Sequence, residues 1–512
     1  MHRCLLLDEI LVQILHWVER STLCAIARTC HAFNEPATAL IWSRLIDLWP
    51  IFRLLPAAAT TWSELGSDKV DHDGPPLCIT RPLTPEEWFT VKKLSERVRV
   101  LRLIVTPTPT PYTVTPKSLS FLLHPTEQDY LFPNLQTLSM QAQVTPESRN
   151  CQDYILAFLR TLVRPHLVSL DLYLDGKFYA SPNALDALTS STNVQSLRTR
   201  ETPLAAEDGS DVFVFPVISE FQSLVTATIG EGSWKLLTSL AQLKKLRELS
   251  FDLCSSTSVA PIPPTCDSFP ELRTLCIYFE TLDMSLSFLR WALLRKLMSI
   301  RIISTDFGRT DYSIDLQELL ALIPFHSSLL EHIEVDLSFS RPHQPVPWVL
   351  SGSILAPYLT LHNLRVLDLT LAPRSYSPMF TDDELEQMAE AWPLLERLCV
   401  KAYDTGWTLP TKLTFGGIMG LIKHCPSLVT FALVFDATKI PKTTISNVDG
   451  STVENRRIQS LDVGNSPISS ARQVAVYLRL VMPALREVST CVRMNQMHKL
   501  MWQMVNTHLS AS

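Results

Sequence analysis

Catalysis, metal binding and cofactor binding each need particular side chains at particular spacings. Gly230-Glu231-Gly232 has two glycines of a dinucleotide fingerprint and lacks the third. Gly416-Gly417-Ile418-Met419-Gly420 is not followed by the Lys-Ser/Thr pair that holds a phosphate. Both segments read as turns. His326 and His332 are not one helical turn apart, and no His-Glu-x-x-His stretch occurs to seat a metal. Cys30-His31 has no second pair nearby, so Cys30 reads as a core residue. Asp382-Asp383-Glu384 offers three carboxylates, but a helix start uses acids to complement its dipole. No Gly-x-Ser-x-Gly nucleophile turn is present. The expectation is a protein without catalytic residues, metal ligands or cofactors.

Composition narrows the class further. The 512 residues carry 45 basic and 51 acidic side chains, a net charge of -6. Phosphate-backbone binding depends on clustered Lys and Arg, and none stand out, so no nucleic-acid partner is expected. The 11 cysteines form no C-x-x-C pair and are odd in number. They read as buried free thiols in a reducing compartment, which places the chain in the cytoplasm and/or nucleus. No N-x-S/T acceptor occurs. Leu5, Leu6 and Leu7 follow Arg3, but Asp8 and Glu9 interrupt the run before it becomes a secretory signal. No stretch approaches the ~20 apolar residues that span a bilayer, so no membrane partner is expected either.

Without chemistry of its own, the chain is left with binding, and binding depends on the elements that present it. Residues 1–55 read as three short helices. Ile10, Leu11, Ile14, Leu15 and Val18 recur at helical spacing after Asp8, which is placed to cap the first turn. Ser21 is placed to cap a second helix, with Leu23, Ile26, Ala27 and Cys30 inward. A third follows Phe33, with Asn34 as cap, Pro36 in the first turn, and Leu40, Ile41, Trp42 and Leu45 as its stripe. So small a module cannot bury all these side chains within itself. The surplus serves either a partner or the rest of the chain.

This stretch resembles an F-box. The family opens on Leu-Pro-x-Glu-Ile, and here the text is Leu6-Leu7-Asp8-Glu9-Ile10 followed by Leu11. Cys30-His31-Ala32-Phe33 matches the Cys-x-x-Trp/Phe element, and Ile41-Trp42 the Leu-Trp element. Leu7 stands where the family has proline. The run Ile26-Ala27-Arg28-Thr29-Cys30-His31-Ala32-Phe33 looks like the openings common in fungal F-box proteins. The resemblance implies docking to a Skp-type adaptor, and through it to a cullin scaffold of a ubiquitin ligase. It implies that Leu6, Leu7, Ile10, Leu11, Ile14, Leu23, Cys30, Phe33 and Trp42 either contact that adaptor or hold the module's core.

Residues 56–97 have linker composition, closing on Pro85-Glu86-Glu87-Trp88, a helix start with Phe89, Val91 and Leu94 as its apolar side. From 98 to 512 the chain repeats itself. L-x-x-L-x-φ, φ being apolar, begins at Val98, Leu135, Leu167, Leu246, Leu272 and Leu364. Looser copies begin at Val194, Leu224, Leu297, Leu330, Leu395, Leu428, Ile458 and Leu485. Spacings run from 22 to 37 residues. Proline stands two residues ahead of the copies at Leu135, Leu167, Leu272, Leu428 and Leu485, where a strand tolerates it. Leu249, Phe251 and Leu253 alternate with Glu248, Ser250 and Asp252, which is the period of a strand. Helical patterns lie between, at Ala184–Leu188 and at Asp382–Trp392 with Thr381 as cap. Proline-rich loops are expected at Thr106–Pro116, Pro261–Pro264 and Pro342–Pro347.

One strand and one helix cannot close a core alone, and stacking such units does. The fold class is therefore α/β: a three-helix N-terminal module, then an irregular leucine-rich-repeat-like solenoid, a horseshoe with a parallel sheet. Its outward central positions include Ser139, Asp171, Arg198, Ser250, Cys276, Arg301, Glu334, Asp368, Cys399, Asp462 and Ser489. Of these, Asp171, Arg198, Arg301, Glu334, Asp368 and Asp462 are the candidates to hold a target protein. They serve that role or are simply solvated. A leucine-rich scaffold with no ligase role is the alternative function.

Overall fold

The computed structural model describes residues 8–57, 59–62, 77–106, 113–123, 131–142, 149–174, 188, 193–199, 218–253, 268–305, 313–337, 348–371, 376–402, 411–441, 453–492 and 494–510. The chain divides into two units, Met1–Leu246 and Arg247–Ser512.

Each unit is built on the repeated segment. Every one of the copies becomes a strand, and each strand begins two residues after the copy's first apolar residue. The reason is local. That first residue is buried in every copy, ahead of the strand, and the fourth is buried within it. The residues between alternate to the other face.

In the first unit the strands are β1 (Arg44–Leu45), β2 (Thr60–Trp62), β3 (Leu77–Ile79), β4 (Val100–Val105), β5 (Thr137–Ala142), β6 (Ser169–Leu174), β7 (Ser196–Thr199) and β8 (Thr226–Glu231). β1 and β4 to β8 pair in parallel, each with the next. β2 and β3 form a short antiparallel pair. The sheet therefore starts at Arg44, well ahead of the first repeat copy.

In the second unit they are β9 (Glu248–Leu253), β10 (Thr274–Phe279), β11 (Ser299–Ser304), β12 (His332–Asp336), β13 (Trp348–Leu350), β14 (Val366–Leu371), β15 (Tyr376–Pro378), β16 (Arg397–Ala402), β17 (Thr430–Ala432), β18 (Ser460–Asp462) and β19 (Glu487–Ser489). All but β13 and β15 pair in parallel in chain order. β13 and β15 pair with each other, off the main ladder. Parallel strands that follow one another in sequence, with helices in the connections, make an α/β solenoid.

Several helices start on one device. Thr84, Thr115, Ser233, Thr381, Thr414 and Ser470 each accept a backbone N–H of the helix they precede. At Thr84 and Thr381 a glutamate three residues on returns the bond, completing a capping box. Asp382, Asp383 and Glu384 thus sit in a helix's first turn, as their sequence implies. Tryptophans tie successive repeats: Trp392 Nε1 donates to Tyr358 O at 3.0 Å, and Trp502 Nε1 to Ser466 O at 3.0 Å.

Several local expectations are corrected. Gly416, Gly417 and Gly420 lie in the helix Phe415–His424, and Gly230 lies in β8; none forms a turn. Phe89 points to solvent, while Val91 on the same helix is buried. Of the expected loops, 107–112, 261–264 and 342–347 fall outside the described residues, as does the helical pattern at 184–187. No helix among the described residues is long and apolar enough to cross a membrane.

Candidate functional site

The N-terminal module has three helices: α1 (Asp8–Leu15), α2 (Arg20–Ile26) and α3 (His31–Ser43). α1 and the turn that follows it carry two apolar sets, one residue out of phase. Leu11, Leu15 and Val18 form the first and face a small core with Leu23 and Ala37. Leu11 is 2% exposed and Leu15 4%. Ile10, Ile14 and Trp17 form the second and face away, Ile14 at 49% and Trp17 at 90% exposure. Within α1 the spacing i, i+4 stacks Ile14 on Ile10 and Leu15 on Leu11, and Trp17 and Val18 follow in the turn after the helix. The surplus seen in the sequence is thus an exposed apolar patch on α1 and the turn after it.

The expected site residues divide accordingly. Leu11 and Leu23 are core. Phe33 packs against that core from its rim, and Trp42 is half-buried. Ile10 and Ile14 are presented outward. Leu6 and Leu7 lie outside the described residues. Cys30 is exposed, against the expectation of a core position. α2 ends at Ile26, so the helical phase that would carry Cys30 inward stops short, and Cys30 instead precedes α3 with extended backbone. Ser21 does not cap α2, which follows Glu19. α3 starts at His31, so Asn34 and Pro36 are inside it. The Asn34 amide still closes a helix end: it donates to the Ala27 carbonyl, 2.8 Å, past the end of α2.

α3 runs directly into β1, and the Arg99 N–H donates to the Ser43 carbonyl at 2.8 Å. Arg97 pairs with Glu35 at 2.8 Å. The module is therefore joined to the first strands of the sheet by pairing as well as by the chain.

The outward sheet positions fall in register. In the first unit Ser139, Asp171 and Arg198 are direct neighbours across β5, β6 and β7. In the second, Ser250, Cys276, Arg301, Glu334, Asp368 and Cys399 align across β9 to β16, with Asp462 and Ser489 continuing the row. Several of the charges pair. Arg301 Nε meets Glu334 Oε2 at 2.7 Å, and Arg397 meets Asp368 at 2.7 Å. Arg365 reaches Glu396 at 2.7 Å and Glu331 at 3.5 Å. Ser139 Oγ donates to Asp171 at 3.1 Å, and Gly464 N–H to Asp462 at 2.9 Å. Arg198 is exposed. Cys276 and Cys399 lie low in this row, and burial pushes both thiols above their ordinary range. Sequence direction alone gave the row; it did not single out Arg397, Arg365, Glu331 or Glu396, whose partners depend on cross-strand register.

These features define a chain with a three-helix N-terminal module followed by an α/β solenoid. Residues 8–47 match the F-box-like family model, so the module is an F-box-like domain and the solenoid is the repeat region that follows it. The solved structure described as "Crystal structure of Rad7 and Elc1 complex in yeast" aligns with 78% of this chain and 78% of that chain. Its identity is 12% and its TM-score 0.32. No curated protein matches the sequence.

Proposed function

We propose that this chain is the substrate-recognition subunit of a cullin-RING ubiquitin ligase of the SCF type, acting in the cytoplasm and/or nucleus. The exposed Ile10–Ile14–Trp17 row on an F-box-like domain carries this reading. An apolar row left over after a domain's own core is filled is what a partner groove takes up. The row docks a Skp-type adaptor, and the adaptor links to a cullin scaffold. The outward sheet positions hold the target, with Asp171, Arg198, Arg301, Glu334, Asp368 and Asp462 among its contacts. The protein then works by proximity, raising the target's effective concentration beside a conjugating enzyme. It breaks no bond itself.

Tagged full-length chain is expected to co-purify with the adaptor and the cullin. Failure of the wild-type chain to retain the adaptor refutes the ligase role. A second reading has one observation in its favour: α3 runs into β1, which pairs along β4. On that reading the helices cap a leucine-rich scaffold that has no ligase role. Deleting residues 1–43 separates the two. A docking module's loss leaves the repeats soluble and monomeric, and a cap's loss aggregates them.

A further inference from the structure

The helix layer of the second unit holds a side-chain group that adaptor docking does not use. Glu386 and Glu390 lie one turn apart on the helix Asp382–Ala391, so both carboxylates leave one face. His424 ends the helix Phe415–His424, one repeat further along. Glycine lets the two helices approach. A Cβ placed on Gly420 would lie 3.1 Å from the Glu386 Cβ and 3.2 Å from its Cα. This approach sets His424 Nε2 between two carboxylates, 3.6 Å from Glu386 Oε1 and 3.7 Å from Glu390 Oε1. The nitrogen is buried and makes no hydrogen bond.

The distances decide what this group can be. A ring nitrogen bonds a carboxylate at ~2.7–3.2 Å, so neither glutamate is its hydrogen-bond partner. A tetrahedral cation bound at about 2.0–2.2 Å separates its ligand atoms by roughly 3.3–3.6 Å. The three ligand atoms all lie within 4.8 Å of one another. We propose that Glu386, Glu390 and His424 bind a divalent cation of the zinc class. Neutral His424 contributes Nε2, and each glutamate contributes one oxygen. Glu390 is exposed, so the fourth position opens to solvent and takes a water. An imidazole in the ligand set favours zinc over calcium or magnesium, which take oxygen ligands. Lys423 Nζ stands 3.7 Å from the same Glu386 oxygen; this half-exposed ammonium gives way to the metal. The cation joins two successive repeats on their helical side. Sequence reading missed the group because His424 is 34 residues from Glu390.

The test uses full-length protein freed of metal by chelator and titrated with zinc chloride in a calorimeter, with thermal unfolding followed in parallel. The wild-type chain is expected to take up one equivalent and to unfold at a higher temperature when zinc is present. Glu390→Gln, isosteric and on the surface, is expected to weaken zinc binding at least about tenfold, the loss that removing even an outer partner causes. His424→Ala is expected to abolish binding and the thermal shift together. No uptake by wild-type protein at micromolar zinc overturns the proposal. So does uptake that is unchanged in both variants.

Discussion

Ile14 and Leu15 are adjacent in α1 and do opposite work. Leu15 is 4% exposed and belongs to a small core whose buried members among the described residues are Leu11, Leu15, Leu23 and Ala37. Leu15→Ala removes buried methylenes that so small a cluster cannot refill. The cost is about 2–5 kcal/mol of the module's stability. Ile14 is 49% exposed, and Ile14→Ala costs within about 0.5 kcal/mol, as surface substitutions do. A whole-chain melting curve would dilute this contrast, because the repeats dominate it. Hydrogen exchange measured on peptides spanning residues 8–43 isolates it. There, 2–5 kcal/mol corresponds to roughly thirty-fold to several-thousand-fold faster exchange for Leu15→Ala, against little change for Ile14→Ala. Equal acceleration in both variants would refute the division of α1 into an inner and an outer stripe.

Two further outcomes follow from the helix layer and the thiols. Gly417→Ala should gain about 1 kcal/mol of helix propensity, but its Cβ would lie 2.8 Å from Asp382 Oδ1, the oxygen that accepts the Thr414 N–H at 2.8 Å. Displacing that charged cap costs about 1.5–3 kcal/mol, so the denaturation midpoint should fall; a rise would show that Asp382 moves aside freely. Cys425 is buried, its thiol donates to the Ala389 and Trp392 carbonyls, and burial pushes its pKa up to about 12. Native protein at mildly alkaline pH should therefore be alkylated at exposed Cys24 and Cys30 and not at Cys425, as peptide mass spectrometry would show; fast labelling of Cys425 would contradict its placement.

Much of the solenoid was legible because its signal is repeated burial. The first and fourth residues of each copy are inside, and two-residue alternation does the rest. β1, β2 and β3 were not legible, because they span two or three residues and no copy of the repeat marks them, whereas the equally short β17, β18 and β19 each follow one. The Gly416–Gly420 helix was missed because glycine's weak propensity argues for a turn. The reason for glycine there is the neighbouring helix backbone, which sequence does not display. In the N-terminal module the apolar spacing located α1 and its core face. It did not separate Ile10 and Ile14 from Leu11 and Leu15, because a one-residue offset appears in sequence only as a broader stripe. Cys30 was misassigned for a related reason: the helical phase was carried past Ile26, where α2 ends. On the sheet face, alternation gives which residues point outward. It does not give Arg301 opposite Glu334 or Arg397 against Asp368, which register alone fixes.

The outer apolar set of α1 is the proposed docking surface. The decisive measurement is the affinity of the full-length chain for a purified Skp-type adaptor, wild type against Ile10→Asp/Ile14→Asp. Both positions are exposed, so hydrogen exchange of the module should be unchanged. Full burial of such a side chain contributes about 1.5–3 kcal/mol, and at 37% and 49% exposure under half of that remains to be gained at Ile10 and Ile14. The double substitution should therefore weaken binding at least about tenfold. A wild-type chain that does not bind the adaptor, or a variant that binds it equally well, would contradict the assignment.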